Sequence, residues 1–136
     1  MAFLIDTNII SEIQKGPKAN PNVRVWYGGI ADTDIYLSVL VIGELRIGIE
    51  RLRRRDGDQV KVLQQRLDRL ENLMGDRILP VTKTIVERWS LYNVPDPISV
   101  IDGLIAATAA EYGLTLVTRN VRDIERTGVP YLNPFD

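Results

Sequence analysis

Cysteine and histidine are both absent from this chain of 136 residues. Their absence rules out disulfide scaffolds, thiol nucleophiles and cysteine-held zinc. It also removes Ser-His-Asp triads and nucleases that work through paired histidines. What remains is the chemistry of carboxylates, hydroxyls, lysine and arginine. Carboxylates without imidazole or thiolate suit hard cations such as Mg2+ and Mn2+. No apolar run approaches the roughly 20 residues of a membrane span, so no membrane partner is expected. No basic leader or cleavage site precedes Phe3-Leu4-Ile5, and a cytoplasmic location is the expectation. An excess of one charge is missing too: the formal net charge is −1. The whole molecule therefore does not attract nucleic acid, and any RNA contact must come from a local patch.

The remaining composition, 45% hydrophobic and 26% charged, is that of one globular domain over residues 1–136. Along the chain, short apolar runs alternate with helical patterns. Phe3–Ile5, Ile35–Leu37, Arg77–Leu79, Leu114–Thr118 and Gly128–Leu132 are the expected strands. Helices are expected around Ile9–Ile13, over Val23–Ile30, and from Val39 to Arg54 with Ser38 as cap. Asp56-Gly57-Asp58 breaks the chain. The stripe Val60, Leu63, Leu67, Leu70, Met74 then predicts a helix antiparallel to the one before it. Thr82 is placed to cap a helix carrying Ile85, Val86, Trp89 and Tyr92. The two prolines of Val94-Pro95-Asp96-Pro97 demand a loop. An alanine-rich helix from Ser99 to Tyr112 follows, closed by Gly113. Arg119–Arg126 reads as a loop and short helix. This alternation predicts an α/β fold with a mainly parallel sheet of short strands and helices on both faces. Such sheets hold ligands beyond the carboxyl ends of their strands.

Four carboxylates stand out. Asp6 directly follows the first strand; capping of the next helix is its ordinary role, although Thr7 or Asn8 is placed to cap instead and leave Asp6 free. Glu44 has Leu40, Val41, Ile47 and Gly48 as its helical neighbours, and none is basic. Asp102 sits in the buried-looking helix, where an aspartate is costly unless paired, hydrogen-bonded or bound to a cation. Asp123 follows a strand, but Arg119 and Arg126 lie within helical reach and offer it a plain ion pair. Asn120 competes with Asp123 for the same place. Two carboxylates about 4 Å apart repel by some 4 kcal/mol at an effective dielectric near 20. A divalent cation turns that repulsion into binding, which is why acidic clusters suit phosphoryl chemistry.

Four segments, in order, resemble the motifs of the PIN domain, and specifically of VapC-type toxins of bacterial type II toxin–antitoxin pairs. They are Leu4-Ile5-Asp6-Thr7-Asn8; Leu37-Ser38 with Gly43-Glu44-Leu45 and Gly48; Asp102 to Ala109; and Leu116-Val117-Thr118-Arg119-Asn120 with Asp123. The resemblance implies a three-layer α/β/α fold and a Mg2+- or Mn2+-dependent endoribonuclease. It also implies a homodimer silenced by a cognate antitoxin. Asp6, Glu44, Asp102 and Asp123 would be catalytic, with Asp6, Asp102 and Glu44 as metal ligands. Thr7, Asn8, Ser38, Thr118 and Asn120 would hold carboxylates and waters around them. The implied reaction is in-line attack of water on an RNA phosphodiester, with transfer RNA as the family-level expectation, leaving 5′-phosphate and 3′-hydroxyl ends.

A basic stretch is the candidate RNA contact. Between Arg46 and Arg69 eight basic side chains face four acidic ones, net +4, with Arg53 and Arg54 at its centre. A solvated helix face explains the same pattern. A receiver domain is disfavoured because only one acid follows the first strand, and a dinucleotide enzyme because no G-x-G-x-x-G does. The stronger rival is a PIN-like scaffold that binds RNA or protein without cutting.

Overall fold

The computed structural model describes all of residues 1–136. Five strands form one parallel sheet: β1 (Phe3–Ile5), β2 (Ile35–Ser38), β3 (Ile78–Leu79), β4 (Thr115–Val117) and β5 (Tyr131–Leu132). Their order is β3-β2-β1-β4-β5, and every pairing is parallel. Seven helices complete a three-layer α/β/α arrangement: α1 (Thr7–Ile13), α2 (Pro21–Gly28), α3 (Val39–Leu52), α4 (Gly57–Met74), α5 (Lys83–Leu91), α6 (Val100–Tyr112) and α7 (Val121–Glu125). Central strands covered on both faces must be apolar throughout. Phe3, Leu4 and Ile5 are all buried, as are Leu116 and Val117, and they join Ile9, Leu37, Val41, Ile105 and Ile124 in one core. Trp26 closes the edge of that core with a T-shaped contact on Phe3, 5.4 Å between ring centroids.

The chain runs from β1 outward to β2 and β3, then returns to the other side of β1 for β4 and β5. The strand order thus reverses at β1. In open parallel sheets the crevice at such a reversal, at the carboxyl ends of the strands, is where ligands lie. Asp6 follows β1 and Thr118 follows β4, so both stand there.

Several boundaries depart from the sequence expectation. The second helix begins at Pro21, not Val23, and ends at Gly28. Proline at the first helical position lacks only an N–H that would be unpaired anyway. The Asn20 side chain caps that turn by accepting from the Asn22 and Val23 N–H groups. Helix α3 stops at Leu52, and Asp56 caps α4 through the Gln59 N–H at 3.1 Å, so α4 starts at Gly57 instead of Val60. The α3–α4 pair is antiparallel: Arg46 meets Glu71, while Ile49 packs with Val60 and Leu67. The last strand shrinks to two residues after Gly128 takes a positive φ of 75°. Ser38 and Thr82 cap α3 and α5 as expected, and Gly113 closes α6 in the left-handed conformation.

Candidate active site

Asp6 is stitched to the sheet before its side chain does anything. Its N–H donates to the Val117 carbonyl at 2.9 Å, which fixes the end of β1 against the end of β4. Its carboxylate is 7% exposed and receives three donors. Oδ1 accepts the Thr7 N–H at 2.8 Å; Oδ2 accepts the Thr118 hydroxyl at 2.7 Å and the Asn8 amide at 3.4 Å. Asp6 is therefore itself the N-cap of α1; of the two alternatives the sequence left open, its ordinary capping role holds and neither neighbour replaces it. The neighbours are engaged elsewhere: Thr7 binds Glu44, and Asn8 bridges Asp6 to the Arg119 N–H at 3.3 Å. Capping does not exhaust a carboxylate with about four acceptor positions.

Glu44 projects from α3 toward α1. The Thr7 hydroxyl donates to its Oε1 at 2.6 Å across 37 residues of chain. No lysine or arginine forms an ion pair with it. Ser38, expected among the groups that hold carboxylates, instead accepts from the Leu40 N–H at 3.1 Å and is fully buried. It anchors the helix that carries Glu44 and makes no bond to an acid.

Asp102 lies in the first turn of α6, half-buried, and the Asn120 amide donates to its Oδ2 at 3.0 Å. Its carboxyl is held above the ordinary carboxylate value, first by burial and then by the charges of Asp6, Asp123 and Glu44; Ser99 pulls the other way. A helix N-terminus favours the anion. At Asp102 burial and the neighbouring acids act against that preference. Residues 6, 44, 102 and 123 thus share one electrostatic field although they are scattered through the sequence. They do not crowd into a ready-made cage: no three acidic side chains converge closely enough to form one. Threonine or asparagine groups hold Asp6, Glu44 and Asp102 one by one.

The ion pair offered to Asp123 does not form. Arg119 lies over the Phe135 ring, its guanidinium carbon 4.4 Å from the centroid. Arg126 donates to the carbonyls of Tyr92, Asp96 and Pro97 and so ties down the proline loop. Asp123 forms no ion pair, and Asn120 contacts Asp102 while its N–H donates to the Thr118 hydroxyl at 3.1 Å. Asp123 and Asn120 thus act on Asp102 differently, one by charge and one by contact.

The basic candidates divide. Arg53 is clamped by both oxygens of Glu50 at 2.9 Å, whereas Arg54 has no ion pair and lines an open groove on α3 with Arg46 and Arg51. The sequence signal was a cluster, and it could not show that helical spacing neutralises one member. A second cavity, about 280 Å³, runs between α1, α3 and α4 from Thr7 and Glu44 over Leu45, Ile49, Leu63 and Leu67. The Arg119–Phe135 contact is the feature that sequence reasoning missed, because no local pattern joins those two positions.

The PIN domain family profile matches residues 3–130. The chain belongs to the PIN domain family. This PIN domain is 33% identical to the toxin FitB of Neisseria gonorrhoeae, with 98% of each chain covered. It is 28% identical to the VapC ribonuclease Y4jK of Sinorhizobium fredii, again over 98% of each. Among solved structures, FitAcB from Neisseria gonorrhoeae contains a chain that superposes with a TM-score of 0.89 at 32% identity, over 98% of both. The fold expected from the alternating pattern is thereby shown.

Proposed function

We propose that this chain is an endoribonuclease toxin of a toxin–antitoxin pair, with Asp6, Glu44, Asp102 and Asp123 as its catalytic acids. The observation that carries this reading is geometric: groups that follow β1 and β4 hold the three acids, Thr118 binding Asp6, Thr7 binding Glu44 and Asn120 binding Asp102, and the neighbouring acids together with burial raise the Asp102 carboxyl. Relatives named as a VapC ribonuclease and a toxin support the reaction class and the biological role. The donor set is oxygen only and the field is negative, which fits Mg2+ or Mn2+ and does not fit zinc or copper. Asp6 and Asp102 would hold such an ion with Glu44. Once bound, it would lower the pKa of water and neutralise charge on phosphate oxygens.

The protein's own part is positioning. Thr118 and Thr7 fix the carboxylates of Asp6 and Glu44 by short hydroxyl bonds, and Asn120 fixes Asp102. Hydrogen bonds of this kind set the orientation and basicity of acidic groups. Asp123 adds negative potential without contact. An RNA phosphate would be taken up at this acid cluster, with Glu44 placed to hold the ion, directly or through water, or to position the attacking water. Transfer RNA as target, a homodimer, a cognate antitoxin and a cytoplasmic location belong to the same proposal. No helix is long and apolar enough to cross a membrane.

The test is a cleavage assay on total RNA, with and without chelator, using the unaltered chain and Asp102→Asn. Cleavage that needs the divalent ion and vanishes in Asp102→Asn is expected. The spread of the acids favours a second reading, a scaffold that binds without cutting. Binding of RNA or protein by both forms, with no ion-dependent cleavage by either, would establish that reading instead.

A further inference from the structure

Most arginines of this molecule that are ordered by a contact are also neutralised or hydrogen-bonded by it. Arg53 is bound by Glu50, Arg88 by Glu111, Arg77 by the carbonyls of Ile35 and Leu73, and Arg126 by three loop carbonyls. Arg119 differs. Its guanidinium lies flat enough on Phe135 for a 4.4 Å contact, yet its side chain makes no ion pair and donates no hydrogen bond. Stacking restrains the guanidinium plane while leaving its N–H edge open.

The support under that ring is itself built. After β5, the Asn133 side chain accepts the Phe135 N–H at 3.0 Å, and the Asn22 amide donates to the Phe135 carbonyl at 2.9 Å. On the other side the Arg119 N–H is bonded to Asn8, which also contacts Asp6. The backbone of Arg119 is thus tied to the acid site by way of Asn8, while its guanidinium is held over Phe135. The acid facing it, Glu12, is already satisfied by Lys15 at 2.9 Å and by the Asn20 N–H at 2.8 Å. Arg119 adds only a remote field there and is not required.

From the undonated guanidinium of Arg119 over Phe135, on a residue that directly follows Thr118 and whose backbone N–H is bonded to Asn8, we propose that Arg119 on its Phe135 platform binds a backbone phosphate of the RNA strand. This assignment rests on the ribonuclease reading. A phosphate brought near four carboxylates meets repulsion, and a cation held at the rim of that field offsets it for a neighbouring phosphate. Arginine suits the task because its open edge matches two phosphate oxygens at once. Phe135 is a positioning residue that acts through Arg119.

The experiment measures binding of a short single-stranded RNA of mixed sequence across a salt series. All proteins carry Asp102→Asn so that the RNA stays intact, and cleavage by the unaltered chain is checked separately. Arg119→Ala is expected to weaken binding about tenfold and to lower the slope of log affinity against log salt by roughly 0.7–1. Phe135→Leu should weaken binding severalfold with the slope retained, and Phe135→Tyr should restore it. Wild-type affinity and slope in Arg119→Ala would overturn the assignment and leave the guanidinium to a carboxylate-bearing protein partner or to holding the chain after β5. A fall in melting temperature without a change in slope would do the same. If the unaltered chain cleaves RNA and Arg119→Ala cleaves it with the same KM, only this assignment fails. If the unaltered chain neither binds nor cleaves RNA, the ribonuclease reading falls as well.

Discussion

The α3–α4 hairpin and the mouth of the sheet at β1 and β4 are both rich in charge, and they handle it in opposite ways. On the hairpin, charges are met by nearby groups: Arg53 by Glu50 three residues away, Arg46 by Glu71 across the pair, and Asp68 by the Gln64 amide four residues away. At the mouth, the acids come from positions 6, 44, 102 and 123, and their contacts span up to 112 residues. Some hairpin charges thus find a partner of opposite sign, and others, such as Arg54, stand exposed to solvent without crowding like charge into one place. The mouth gathers charges of one sign that no local spacing can neutralise, and the fold must spend hydroxyls and amides to hold them. Charge collected by tertiary structure against its own repulsion is the better sign of chemistry.

Asp102→Asn tests this contrast most severely. Cleavage should fall by more than about 100-fold, since even groups that only support ligands account for 10- to 100-fold. Stability of the ion-free protein should move the other way. A carboxyl whose value is raised by folding opposes the fold at neutral pH, and that opposition fades as pH drops through its folded value. Asparagine removes it at all pH. The variant should therefore melt above the parent near neutral pH in the ion-free form. The stability difference between variant and parent should shrink on acidification; a constant difference would contradict the shared field.

Thr118→Val keeps the shape and removes the donor to Asp6. Because that bond is buried, activity should fall about 10- to 100-fold and stability by about 1–2 kcal/mol. Kinetics and thermal melting together read this, and an unimpaired enzyme would mean that Asp6 needs no holding. Gly103→Ala probes the scaffold beside Asp102. A Cβ there would come within 2.7 Å of Ile98 Cγ2 and 2.8 Å of Trp89 Cδ1. Denaturant unfolding should show a loss of about 1–3 kcal/mol, with reduced activity because α6 shifts. The smallest effect belongs to the hairpin: Arg53→Ala should change stability by less than about 0.5 kcal/mol. Its RNA affinity should change less than that of Arg54→Ala. The reverse order in a salt-dependent binding assay would show that Glu50 releases Arg53 to the RNA.

Much of the fold was legible because its signals are local. Apolar runs gave the strands, Ser38 and Thr82 announced the helices they cap, and Gly113 marked a helix end. The helix expected over Val23–Ile30 was found, but its start at Pro21 was not legible because proline marks a turn and a first helical turn equally well. The four acids were visible as carboxylates in apolar settings or at strand ends. Which group holds which acid was not visible, since Thr7–Glu44, Thr118–Asp6 and Asn120–Asp102 depend on how distant segments meet. Ser38 and Asp6 show the converse: short-range capping claimed a side chain that resemblance or spacing had reserved for, or freed for, another task. Arg119 and Phe135 carry no pattern at all until the segment after β5 folds back beside β4.

The reversal of strand order at β1 also sets the sequence of assembly. During synthesis β1 emerges well before β4, yet it lies between β2 and β4 in the finished sheet. Until residues 115–118 arrive, one edge of Phe3-Leu4-Ile5 stays unpaired and Asp6 lacks the Thr118 hydroxyl. Fragments ending before Thr115 lack both the β4 edge and the Thr118 donor, and they should be protease-sensitive. If the chain cuts RNA as proposed, the topology works as a timer that withholds that activity until residues 115–118 are in place.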